Sequence, residues 1–290
     1  MTTHNQDVDE VTGIATTGHE WDGIKELNKP LPRWWVWTFY ATIVWAVGYW
    51  VVYPAFPTLS GYTKGLFGYS QRTVVTHEIN AARAAQAKYR DKLAATALDH
   101  VRDDPDLLRF AMAAGAAAFQ ANCAPCHGRG AQGFSGYPNL NDDDWLWGGT
   151  LEAIHKTINA GIRSDQKDTR TSQMPRYGLE KLLEDAQIGD AAEYVLSLGG
   201  RSTDAAAAGR GQTLFAEQCS ACHGADGRDN QELGAPNLAD AIWLYGSSKA
   251  AILESVRTGR GGVMPAWTGR LDPVTIKSLA VYVHSLGGGR

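Results

Sequence analysis

The chain has 290 residues, of which 44% are hydrophobic and 20% charged, with 31 acidic against 27 basic side chains and a formal net charge of −4. This is the composition of folded protein, with length for two or three small domains. No polycationic excess or basic stripe is present, which argues against nucleic acid as a partner.

Residues 1–33 form a leader. Met1 to Gly18 is polar and rich in Thr and acids, and reads as disordered until something binds it. Trp21 to Arg33, WDGIKELNKPLPR, combines an aromatic, alternating charge and two prolines, and reads as an ordered contact segment. Residues 34–56 read as a transmembrane anchor. Trp34 to Tyr53 is twenty residues without a charge, and at about 1.5 Å per helical residue it spans roughly the 30 Å hydrocarbon core of a bilayer. Trp34, Trp35 and Trp37 at one end and Tyr49, Trp50 and Tyr53 at the other suit the headgroup levels. A cleaved signal peptide fits less well, because the run is long, follows a polar leader and lacks an A-x-A-like exit. Lys25, Lys29 and Arg33 before the helix, against Lys64 and Arg72 after it, weakly favour an inside N-terminus. Residues 57–106 read as a Gly-rich loop near the membrane surface followed by an Ala-rich helix over Val74 to Val101.

From about Leu107 the chain repeats itself at an offset of 96 residues. GAAAFQANCAPCHG from Gly115 aligns with GQTLFAEQCSACHG from Gly211, and PNLNDDDWLWG from Pro138 answers PNLADAIWLYG from Pro236. Both copies carry a Met-Pro pair, at Met174 and Met264, and end in AEYVLSLGG and AVYVHSLGG. Two copies of one domain follow, over 107–200 and 210–290. RSTDAAAAG, residues 201–209, has no side chain of an aromatic or large aliphatic kind and reads as the linker.

All four cysteines lie in two C-x-x-C-H runs, Cys123, Cys126 and His127, then Cys219, Cys222 and His223. This is the pattern of covalent heme c attachment, in which each thiol adds to a vinyl group and the histidine sits under the iron. A zinc ribbon would bring its two C-x-x-C pairs much closer in sequence, and a thioredoxin-like dithiol predicts a βαβ context with no obligatory histidine. For a sixth iron ligand the sequence offers Met174 and Met264, one per repeat; Met112 precedes the first attachment site on its helix. His155 and His284 have no counterpart in the other repeat and read as structural. Pro138 and Pro236 are candidates to offer a carbonyl to the ligating imidazoles. Gly115 with Phe119, and Gly211 with Phe215, lie at i and i+4 on the helices entering the heme sites, where Tyr194 and Tyr282 of the terminal helices would meet them. Asp142 to Asp144 steer a cationic donor, cap a helix starting near Trp145, or are merely solvated.

With these motifs each repeat resembles a class I cytochrome c domain. The whole chain, with WDGIKELNKPLPRWW ahead of a single span, resembles the diheme subunit III of the cbb3-type, or C-family, heme–copper cytochrome c oxidase. The resemblance implies a mainly α protein with one N-terminal transmembrane helix and two tandem class I cytochrome c domains, carrying two covalently bound hemes c. It implies no catalysis by the chain itself, which would take electrons from a donor cytochrome c. They would then pass to the monoheme subunit II and the catalytic heme–copper subunit I, where oxygen is reduced. It also implies a bacterial cytoplasmic membrane, with the leader in the cytoplasm and the heme domains in the periplasm. The cytochrome subunit of a membrane-bound dehydrogenase, or a diheme peroxidase with one open iron, are the competing readings.

Overall fold

A computed structural model describes residues 7–228 and 230–287. The fold is helical apart from two short hairpins, and contacts divide the chain after Ala85 into two units.

In the first unit, β1 (Thr16–Trp21) and β2 (Ile24–Leu27) form an antiparallel hairpin turned by Asp22 and Gly23, both at positive φ. Ahead of it Val8 bridges Ala15, and the Asp9 carboxylate accepts from the Thr12 N–H at 2.7 Å. The leader is therefore ordered from Asp7 onward, against the disorder its polarity suggests; residues 1–6 lie outside the described residues. Local Asx and hairpin turns supply the backbone partners that a polar stretch cannot gain by burial. Helix α1 (Arg33–Val52) starts behind Pro32 and buries no side chain. With a mean hydropathy of 1.3 and bulky apolar residues all round, it has no polar face for water and is long and apolar enough to cross a membrane. Its last carbonyls are closed by the following loop, with the Leu66 and Phe67 N–H groups donating to Val51 and Val52 at 3.0 and 3.1 Å. Gly65, at φ 68°, makes that return possible, since a Cβ there would strike the Val52 carbonyl. Tyr53 stacks on Tyr49 and meets Phe67 and Tyr69 edge-on, an aromatic cluster of the kind found at a headgroup level. Within the loop, β3 (Pro57–Thr58) and β4 (Gly61–Tyr62) form a minimal hairpin.

Helix α2 (Gln71–Ala95) is followed by a 3-10 turn over Asp99–Asp103, so the stretch read as one helix to Val101 breaks after Ala95. Lys277 closes that end, its Nζ donating to the carbonyls of Leu93 and Thr96 at 2.9 and 2.7 Å. The second unit then runs through α3 (Pro105–Asn122), α4 (Ala124–His127), α5 (Leu151–Ala160), α6 (Asp185–Leu198), α7 (Ala205–Gln218), α8 (Ser220–His223), α9 (Lys249–Thr258) and α10 (Pro273–His284). Side-chain caps start most of the longer ones: Asp104 for α3, Thr150 for α5, Asp204 for α7, Ser248 for α9 and Asp272 for α10. Two sequence expectations shift here. The stretch 201–209 is linker only as far as Asp204, because its four alanines are good helix formers and Ala207 and Ala208 are buried within α7. No helix starts near Trp145; α5 begins at Leu151, so Asp142 to Asp144 cap nothing there.

The eight helices make two lobes, and the lobes are not the two repeats. α3 packs on α10, while α6 packs on α7. α5 joins the first pair and α9 the second. Phe119 meets Tyr282 at 5.5 Å between ring centroids, and Phe215 meets Tyr194 at 5.0 Å. Gly115 allows α10 against it, since a Cβ there would fall on the Ser278 carbonyl; at Gly211 it would fall on that of Asp190. Each lobe thus takes its first two thirds from one repeat and its last third from the other. The chain crosses after α5 and returns after α9, and the crossings hold each other: Ile162 and Met264 exchange backbone hydrogen bonds at 2.9 and 3.0 Å.

Candidate functional site

The two C-x-x-C-H runs form α4 and α8, single turns that continue α3 and α7 beyond a bend at Cys123 and Cys219. The His127 and Cys126 N–H groups both donate to the Cys123 carbonyl, and His223 and Cys222 do the same to Cys219. That wrap places both sulfurs and the imidazole on one turn. The Nδ1 of His127 lies 3.0 Å from the Pro138 carbonyl, and that of His223 3.1 Å from Pro236. A carbonyl only accepts, so each Nδ1 carries the proton and each Nε2 keeps its lone pair for a metal. Burial lowers the pKa of both imidazoles, which keeps them neutral, as ligation requires.

The thiols speak against dithiol redox chemistry. Burial, with the neighbouring Cys126 or Cys222 adding to it, pushes Cys123 and Cys219 up to about 11, whereas a reactive thiol needs the opposite shift. Nor do the described residues gather three or more His, Cys, Asp or Glu groups at a possible metal centre, as a zinc ribbon would.

In the second lobe a cavity of about 590 Å3 opens beside α8, lined among others by Met174, Tyr177, Cys219, Cys222, His223 and Trp243. Its size, predominantly apolar wall, paired thiols and neutral imidazole fit a heme. The sulfur-bearing residue here is Met174 of the first repeat. Its loop is tied down locally, with the Tyr177 hydroxyl donating to the Gln218 carbonyl at 2.7 Å and the Gly178 and Leu179 N–H groups to Arg257 at 3.1 Å. In the first lobe, Met264 and Cys123 pack against one core with Phe119, Ile154 and Leu279. Met174 therefore lines the cavity of the second attachment run and Met264 packs in the lobe of the first, each from the opposite repeat. The sequence expected one per repeat; nothing in the motif spacing signals the crossing.

The remaining candidates separate from these sites. His284 is buried on α10 against Arg102, and His155 packs with Asn159 on α5. Met112 packs at the edge of the first core. Pro138 has two roles, since besides accepting the hydrogen bond from His127 Nδ1 it lines the second-lobe cavity, together with Tyr137.

Helical lobes that each present two thiols and an oriented imidazole on one turn define a tandem c-type cytochrome, an electron-transfer protein. Residues 110–195 and 206–283 match the family described as cytochrome c oxidase, cbb3-type, subunit III, and residues 13–60 match the N-terminal domain of cytochrome oxidase-cbb3, FixP. The chain is 55% identical over 294 residues to the cbb3-type cytochrome c oxidase subunit FixP of Bradyrhizobium sp. (strain ORS 278), covering 100% of both chains. It is 54% identical to the subunit CcoP of Cereibacter sphaeroides, covering 94% of this chain and 95% of that one, and 50% identical to FixP of Rhizobium meliloti over the full length of both. The chain belongs to this subunit III family. It is the membrane-anchored, diheme electron-transfer component of a cytochrome c oxidase, carries covalently bound heme c, and works in complex with other subunits of the oxidase.

Proposed function

We propose that Cys123 and Cys126 hold one heme by thioether bonds and Cys219 and Cys222 the other, with His127 and Met264 on the first iron and His223 and Met174 on the second. The cavity that brings Met174 beside Cys219, Cys222 and His223 carries this reading. When bound, each heme supplies a one-electron ferric/ferrous couple, and thioether ligation sets it at a higher potential than a second histidine would. The protein's part is to hold that couple with little rearrangement. The Pro138 and Pro236 carbonyls orient the imidazoles, the Met-Pro loops close the far side, and the packed helices exclude water. No general base or nucleophile takes part.

In the complex, this subunit accepts electrons from a donor cytochrome c and passes them to the monoheme subunit and then to the catalytic heme–copper subunit. Heme c is attached outside the cytoplasmic membrane of bacteria, so the lobes are periplasmic and the hairpin before α1 is cytoplasmic; the basic Lys25, Lys29 and Arg33 agree. Replacing Cys219 and Cys222 by Ala tests the assignment. The chain should lose the mass of one heme, and oxygen uptake driven by reduced cytochrome c should fall at least tenfold. Full uptake with one heme missing would remove the second site from the electron route.

A further inference from the structure

The second-lobe cavity contains two guanidinium groups that the attachment chemistry does not use. Arg163 reaches it from the first crossing segment, its Nε donating to the Gly262 carbonyl at 2.7 Å and its Nη1 to Ser172 at 2.6 Å. Arg260 reaches it from the second crossing, stacked on Tyr245 at 4.6 Å from the ring centroid and donating to the Ser255 hydroxyl and the Ala251 carbonyl. Every one of these partners is neutral. Among the described residues, neither guanidinium has a carboxylate within 4.0 Å, although Asp142 and Asp144 line the same cavity. In those hydrogen bonds Nη2 of Arg163 and Nη1 of Arg260 take no part.

Two half-buried guanidinium groups that face a largely apolar cavity with no carboxylate partner among the described residues suit a ligand that brings the negative charge. Burial works against the charge on Arg163, with only the Tyr245 hydroxyl opposing it. Its backbone also sits at φ 51°, a left-handed conformation that a side chain of this size adopts only when its surroundings impose it. A heme brings two carboxylates, on adjacent edges of the ring. Resting on the reading that places a heme here, we propose that Arg163 and Arg260 bind the two carboxylates of the heme attached at Cys219 and Cys222. Guanidinium forks suit carboxylates, and the carbonyls behind them fix their aim.

The arrangement is asymmetric. Arg170 occupies in the first repeat the place Arg260 has in the second, stacked on Trp147 at 5.0 Å and donating to Thr157 and to the Trp147 carbonyl. Arg163 has no counterpart in the second repeat, because matching Arg170 to Arg260 leaves residues 162–169 as an insertion of the first repeat. Paired cations are therefore a property of the second lobe.

A cation beside a heme favours the ferrous form, which carries one positive charge fewer. In the intact oxidase complex, spectroelectrochemical titration of the c hemes should show Arg163→Gln lowering the ferrous/ferric ratio of one heme by about tenfold at a fixed ambient potential. Arg260→Gln should act on that same heme, and Arg163→Lys, which keeps the charge, should recover most of the loss. Unchanged titrations in both Gln variants, or equal shifts at both hemes, would overturn the assignment, provided mass shows two hemes and the far-red iron–sulfur absorption is intact. A wild-type chain lacking the second heme mass would instead remove the site itself, and this inference with it.

Discussion

At the residue scale, the attachment runs were legible because heme c chemistry demands adjacency: two thiols and a histidine within one helical turn suit little else. The Pro138 and Pro236 carbonyls were also within reach of the sequence, since both repeats carry a Pro-Asn-Leu run, 11 residues after the histidine in the first and 13 in the second, and each lies about 3 Å from an imidazole Nδ1. Tyr177 was not. Its hydroxyl bridges two segments 41 residues apart, a relation that no local pattern encodes. Tyr177 is 6% exposed, and its loss leaves the Gln218 carbonyl without that donor. Tyr177→Phe should weaken the anchoring of the Met174 loop by about 1 kcal/mol. The check is a denaturant titration followed at the far-red iron–sulfur absorption, which should disappear at lower denaturant than in the wild type while the Soret band of the attached hemes remains.

At the scale of elements, helices begin behind Asp104, Thr150, Asp204, Ser248 and Asp272, caps that the sequence reading did not single out. The alanines after Asp204 misled because small side chains serve a linker and a close-packed helix equally. Their burial against α6 decides the matter, and only tertiary contact supplies it. Helix α7 also contains a matched pair of glycines that separates propensity from packing. A Cβ at Gly209 meets nothing within 4 Å, whereas at Gly211 it lands on the Asp190 carbonyl and 2.9 Å from Tyr194 Cβ. Gly209→Ala should therefore stabilise the second lobe by up to about 1 kcal/mol, the ordinary gain of alanine in a helix. Gly211→Ala should destabilise it by about 2–3 kcal/mol through overpacking. Thermal unfolding followed at the Soret band compares the two; equal effects would mean that α6 and α7 are not in contact at this point.

For the whole molecule, the repeats in sequence and the lobes in space divide the chain differently. The sequence carried no signal for this, because residues 201–209 read as the linker and the true join between α6 and α7 is set by the structure. Only six residues join α6 to α7, a length suited to two antiparallel helices packed on each other, as α6 and α7 are. A repeat read in isolation folds naturally on itself, so motif order gave no reason to prefer the crossed pairing. Crossing makes each heme site depend on both repeats, and the reciprocal hydrogen bonds between Ile162 and Met264 tie the two exchanges at one place. A chain whose first heme is removed by replacing Cys123 and Cys126 with Ala leaves a single iron to interrogate. Exchanged ligation predicts that adding Met174→Leu abolishes the far-red iron–sulfur absorption of the remaining heme and lets its ferrous form bind carbon monoxide, while adding Met264→Leu changes neither. Loss of that absorption with Met264→Leu and its survival with Met174→Leu would contradict the crossed architecture.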